Sequence, residues 1–147
     1  MTPRARPADV RFYFDADVLG LAKVVAGLRS DVTFPGDPGG TIHRRTRPPC
    51  PVRSPAVKDT EWIPVAAEAG WLIVTRDSRI QDRRAEVAAV RDAGAKMIAL
   101  GGTEARGTWH QLEVLLTQWR AIERVAADNG PLIFSALRSG LRQVPLQ

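Results

Sequence analysis

The sequence predicts a three-layer α/β fold built on a mainly parallel sheet. Three observations carry that expectation. Two apolar runs, Val10-Arg11-Phe12-Tyr13-Phe14 and Trp71-Leu72-Ile73-Val74-Thr75-Arg76, have the length and density of buried strands. Segments of helical periodicity alternate with these and with later strand-like runs, the pattern of βα units that sandwich a parallel sheet between helices. Each of the two runs also closes on an acid, Asp15 and Asp77. Open α/β sheets bind their ligands outside the carboxyl ends of the strands.

Taken in order, residues 1–9 read as a short mobile basic arm and 10–147 as one domain. The first strand covers about Val10 to Phe14. A helix follows, with Val18, Leu19, Ala22, Val25 and Ala26 on one side. Asp31-Val32-Thr33-Phe34 is a short second strand. The segment 35–57 is dense in proline and arginine, and reads as a long loop bordering a site. A helix is expected from about Trp62 to Ala69, because Pro64 belongs in a first turn, and Gly70 ends it. Trp71 to Thr75 is the third strand, Arg83 to Ala93 a helix stopped by Gly94, and Lys96 to Leu100 the fourth strand. The longest helix begins at Thr108, where Thr108 and Gln111 have capping-box spacing. Its apolar stripe, Trp109, Leu112, Leu115, Leu116, Trp119, Ile122 and Val125, places the tryptophans in the core. Asp128-Asn129-Gly130-Pro131 stops it. Leu132-Ile133-Phe134 is a last strand, with an edge at Leu141 to Val144. No internal repeat is present.

The 147 residues are the size of one ordinary domain, and 44% hydrophobic content suffices for a core. A formal charge of +5 favours an acidic partner, nucleic acid first. One cysteine, Cys50, excludes an intrachain disulfide and a multi-cysteine zinc site, and fits a reducing cytoplasmic setting. Apart from His43, Cys50 has no nearby base in sequence to make it a nucleophile, and His110 sits at a helix start far from the acids. No stretch approaches the ~20 apolar residues of a membrane span, and the first residues lack a signal-peptide apolar region.

Asp15, Asp59 and Asp77 together suggest a pocket of hard oxygen ligands suited to Mg²⁺ or Mn²⁺. Clustered carboxylates repel unless a divalent cation neutralises them. Such a cation supports phosphodiester hydrolysis by activating water and offsetting charge on the phosphorane. Arg76 and Arg79 flank Asp77 and can grip a phosphate by forked hydrogen bonds, while Arg83 and Arg84 read as a solvated helix face. Arg44 and Arg45 in the long loop are further candidates for RNA contact. Each aspartate has a competing reading as a helix cap or turn residue. Phe14-Asp15-Ala16-Asp17 also imitates the Asp-x-Asp of haloacid-dehalogenase-like phosphatases, though Leu19 and the missing late acids depart from that pattern.

Three segments carry a closer resemblance: Phe12-Tyr13-Phe14-Asp15, Lys58-Asp59-Thr60-Glu61-Trp62-Ile63-Pro64-Val65-Ala66 and Gly70-Trp71-Leu72-Ile73-Val74-Thr75-Arg76-Asp77. Together they resemble the PIN domain, and more narrowly the PIN-like proteins related to VapC toxins of bacterial toxin–antitoxin pairs. The resemblance covers roughly Val10 to Val144 and implies a three-layer α/β/α PIN-like domain. It also implies a Mg²⁺- or Mn²⁺-dependent ribonuclease, with an antitoxin and a homodimer as expected partners. Asp15, Asp59 and Asp77 match the three acids, with Glu61 competing for the second place. Thr75 matches the hydroxyl residue that braces them. The fourth acid has no match at Ser78, Arg79 or Ile80, which leaves Asp82 and Asp17 as substitutes. A PIN-like module that binds RNA or protein without cleaving is the alternative.

Overall fold

In the computed structural model, residues 5–76, 80–101 and 105–146 are described, with backbone alone for 80–83. The strands are β1 (Arg6–Pro7), β2 (Phe12–Phe14), β3 (Val32–Thr33), β4 (Gly40–Ile42), β5 (Arg45–Arg47), β6 (Leu72–Arg76), β7 (Lys96–Leu100), β8 (Leu132–Leu137) and β9 (Gly140–Gln143). The helices are α1 (Leu19–Ala26), α2 (Asp59–Glu68), α3 (Ile80–Ala93), α4 (Thr108–Thr117) and α5 (Trp119–Ala126). The main sheet has the order β3-β2-β6-β7-β8-β9, parallel throughout except for the antiparallel β8–β9 pair.

The period of two along each strand builds the layers. Phe12, Phe14, Leu72, Val74, Ile98 and Leu100 pack with residues of α1, α4 and α5 on one face. Tyr13, Ile73 and Met97 point the other way, against Trp62, Ile63 and Ala66 of α2 and Val87 and Val90 of α3. The fold is therefore α/β in three layers, as expected. Burying each large aliphatic side chain contributes roughly 1.5–3 kcal/mol, so the two faces together specify which way every strand points.

Several local expectations differ from the structure, each for a physical reason. The helix carrying Pro64 starts at Asp59, three residues before Trp62. Proline removes the bond to the Thr60 carbonyl, but Thr60 and Pro64 lie on the exposed side, where water can replace it. Burial of Trp62, Ile63 and Ala66 outweighs that loss. The long C-terminal helix is divided at Gln118, whose φ of −101° and ψ of 9° interrupt the helical path. Its N-cap is Gly107, so Thr108 makes no capping box. Thr108 instead meets α1: a Cβ on Gly20 would lie 2.6 Å from Thr108 Oγ1, so only glycine fits this close approach without a shift. Trp109 and Leu116, expected in the core, are 69% and 64% exposed, because α4 turns Gln111, Val114 and Leu115 inward instead. Trp119 does pack inward, with its ring 4.9 Å from that of Phe12.

The proline- and arginine-rich segment is ordered into a second sheet, β1-β5-β4. The arm expected at the N-terminus takes part in it, Arg6 and Pro7 pairing in parallel with Arg45 and Thr46. Asp37, 2% exposed, organises the hairpin. It accepts from Thr33 Oγ1 at 2.8 Å, from the Gly39 amide at 2.9 Å, and from both sides of the Arg47 guanidinium at 2.5 and 2.9 Å. Forked pairing of this kind satisfies the buried Arg47 guanidinium and the Asp37 carboxylate together. Among the described residues no helix is long and apolar enough to cross a membrane.

Candidate active site

The chain leaves β2 through α1 to the edge strand β3, then returns to β6 on the other side of β2. Strand order therefore reverses between β2 and β6. A crevice opens at the carboxyl ends of two such strands, because the connections leave in opposite directions. Registration of Phe14 with Val74 sets Asp15 beside Thr75 at this point. The Asp15 amide donates to the Val74 carbonyl at 2.9 Å, tying the end of β2 to β6.

Asp15 is also the cap of a short 3-10 turn, Ala16–Val18, and its Oδ1 accepts from the Ala16 amide at 2.6 Å. The capping and site readings of Asp15 are thus compatible: one oxygen caps while Oδ2 lies 3.4 Å from Thr75 Oγ1. The turn swings Asp17 back over β6. Its two oxygens lie 3.0 and 2.9 Å from Thr75 Oγ1, and Oδ2 accepts from the Arg76 amide at 3.3 Å. A hydroxyl has one proton to donate, so buried Thr75 serves Asp17 more closely than Asp15.

This arrangement concentrates negative charge. Burial, and next the charge of Asp17, push Asp15 up to about 7. Asp17 is raised as well, chiefly by desolvation, against the opposing bonds from Thr75 and the Arg76 amide. Asp59 adds to the repulsion felt by both, from the first turn of α2, where its Oδ1 accepts from the Trp62 indole at 2.9 Å. That bond orients Asp59 from a buried anchor; Asp59 and Glu61, its competitor in sequence, are both exposed. Beneath the acids lies Tyr13, stacked between Trp62 and Trp71 at 5.0 and 5.9 Å. Its buried hydroxyl has no hydrogen-bond partner among the described residues. Burial, then the charge of Asp15, hold that phenol well above its ordinary range.

The structure thus brings Asp15, Asp17, Thr75 and Arg76 together, with Asp59 close by. Asp77 and Arg79 lie outside the described residues, and for Asp82 only the backbone, in the first turn of α3, is described. Arg84 is exposed, as a solvated helix face requires. Arg44 and Arg45 are elsewhere: their hairpin packs near Arg11, which precedes β2, at the amino edge of the sheet. Asp17, a substitute candidate in the sequence, is the acid most directly held. A second acid two residues after a strand-end acid was the signal, and a following turn was needed to aim it. Tyr13 was missed, since nothing in an apolar strand marks which aromatic ring ends beneath the site.

The donor chemistry suits a hard divalent cation: paired carboxylates at a strand end, both destabilised as anions and short of countercharge. Among the described residues, no group of three or more His, Cys, Asp or Glu side chains is placed to hold one ion. Asp15 and Asp17 are the two carboxylates that meet at Thr75.

A doubly wound α/β domain with acids at its switch point defines the class of the protein. Within that class, a PIN-like domain family model matches residues 11–102, well over half of the chain, and includes every acid of the crevice. The chain belongs to the PIN-like domain family. PIN domains are generally nucleases and typically use divalent metals. Comparison with curated proteins and with solved structures returns no match.

Proposed function

We propose that this protein is a metal-dependent endoribonuclease of VapC-like type, the toxin-like component of a bacterial toxin–antitoxin pair. The observation that carries the reading is the convergence of Asp15 and Asp17 on Thr75, at the switch point of a PIN-like sheet. Asp15 and Asp17 would hold Mg²⁺ or Mn²⁺, with Asp77 the third acid and Asp59 orienting water at the rim. The cation, when bound, supplies charge to stabilise the phosphodiester transition state and to lower the pKa of water. Thr75 keeps the Asp17 carboxylate aimed into the crevice. Arg76 is poised to contact a phosphate beside the acids. An antitoxin masking this crevice, a homodimer and a cytoplasmic location complete the proposal.

The test is cleavage of RNA by the purified protein with Mn²⁺ or Mg²⁺, beside EDTA and Asp15→Asn. Cleavage that survives either control would sink the proposal. A second reading, a binding module without cleavage, is favoured by the sequence after Asp77, where Ser78, Arg79 and Ile80 supply no fourth acid. Tight RNA or protein binding with no cleavage by any metal-loaded sample would select it.

A further inference from the structure

A second cationic feature lies at the end of the sheet opposite the acids. Arg11 precedes β2 and Asp15 follows it, so about 13 Å of strand separates the two levels. A cleft of about 430 Å³ opens at the Arg11 level, between the start of β2, the Arg29–Asp31 turn and the β4–β5 hairpin. Arg11, Arg29, Arg45 and His43 line it, together with Asp9 and Asp31. Asp31 is committed to Arg29, whose guanidinium it holds by bonds of 2.9 and 2.8 Å. Asp9 is then the acid left to offset Arg11 and Arg45.

Two features of the hairpin sharpen the excess of positive charge. Arg6 and Arg45 are in register across β1 and β5, and therefore stand side by side on one face. Like charges directly opposed across strands are unfavourable unless an anion bridges them. The turn that presents the cleft is made by His43 and Arg44, with φ of 50° and 62°. Left-handed conformations are uncommon for residues other than glycine, asparagine, aspartate or histidine, which leaves Arg44 the unusual occupant. The hairpin thus holds a guanidinium group, that of Arg44, at a place where fold stability alone favours glycine.

We propose that this amino-edge cleft is a phosphate-binding site that grips the backbone of single-stranded RNA away from the carboxylates. The proposal rests on the ribonuclease reading and extends it: the substrate would be held at both ends of the sheet. Guanidinium groups from two separate segments, Arg11 before β2 and Arg45 in the hairpin, suit a tetrahedral phosphate, which offers acceptors in several directions.

The experiment is fluorescence anisotropy of a labelled single-stranded RNA in EDTA across a salt series, with Mn²⁺-dependent cleavage run in parallel. Arg11→Gln with Arg45→Gln should weaken binding roughly tenfold at moderate salt and lower the salt slope by about 1.4, the share of two phosphate contacts. Arg11→Lys with Arg45→Lys should keep most of that slope. Unchanged affinity and slope in a double variant that melts like the wild type overturn the cleft while leaving the ribonuclease reading intact, provided the wild type cleaves. Should that variant fold poorly, Arg6→Gln with Arg45→Gln, on exposed strand positions, decides in the same way. A wild type that neither binds nor cleaves RNA overturns both. A mononucleotide or inorganic phosphate competing as strongly as RNA, or an acidic peptide binding more tightly, assigns the cleft to another ligand and overturns the proposal.

Discussion

Asp15 occupies a position with opposed demands. Its Oδ1 caps the 3-10 turn, while burial and the Asp17 charge carry its pKa up to about 7. A carboxyl held above its unfolded value of 3.8 binds a proton more tightly in the folded chain. The stability from that proton is complete below the unfolded value and is lost as pH rises through about 7. In the absence of metal, Asp15→Asn should therefore melt higher than wild type at about pH 8, by on the order of 1 kcal/mol after solvent screening, and lose most of that advantage near pH 5. Thermal melts in EDTA at the two pH values check this, and a gap that does not change with pH would remove the charge argument. Tyr13 presents the related problem for a neutral group. Its hydroxyl is buried without a partner, so Tyr13→Phe should stabilise the fold by about 1 kcal/mol in urea titrations. A loss of stability instead would show that the phenol bonds a water or ion in the crevice.

Among the elements, the β4–β5 hairpin depends most on one polar contact. Asp37 and Arg47 are 2% and 8% exposed, and the carboxylate also holds Thr33 and the Gly39 amide. Removing one partner strands the other's charge in the interior. Asp37→Ala should cost about 3–5 kcal/mol in equilibrium unfolding, and a loss below about 1 kcal/mol would mean that water reaches Arg47. Gly39 contributes to the same closure: its φ is 82°, and a Cβ there would meet the Arg47 carbonyl at 2.5 Å. At the amino end of β7, Lys96 donates to the Ala126 carbonyl at 2.7 Å and so closes the C-terminus of α5.

For the molecule as a whole, a cation held by the crevice carboxylates would link its binding to folding. A cation that binds only the folded chain adds about 2.7 kcal/mol at a hundred times its dissociation constant. Mn²⁺ should therefore raise the melting temperature of the wild type, and Asp15→Asn with Asp17→Asn should abolish the rise. Differential scanning calorimetry with and without Mn²⁺ measures it; an equal rise in the double variant would place any bound ion outside the crevice. The separation of the acid crevice from the amino-edge cleft is likewise a property of the whole domain. It follows from a parallel sheet, which sends all the carboxyl ends of its parallel strands one way and all the amino ends the other.

The apolar runs ending at Asp15 and near Thr75, and their alternation with helices, sufficed to determine the layered α/β fold and the end of the sheet where acids would gather. These are local facts, because strand burial and helical periodicity are written in neighbouring residues. Pairing of Asp17 with Thr75 spans 58 positions, and the Asp37–Arg47 contact needs a hairpin hidden among prolines and glycines. Neither has a local signature. The tertiary structure alone decided that Trp109 faces outward, that Tyr13 lies under the acids, and that Arg45 stands with Arg6 and Arg11. Those outcomes depend on register and on which face of a helix turns inward. Both are set by what the distant chain packs against, and not by the residues on either side.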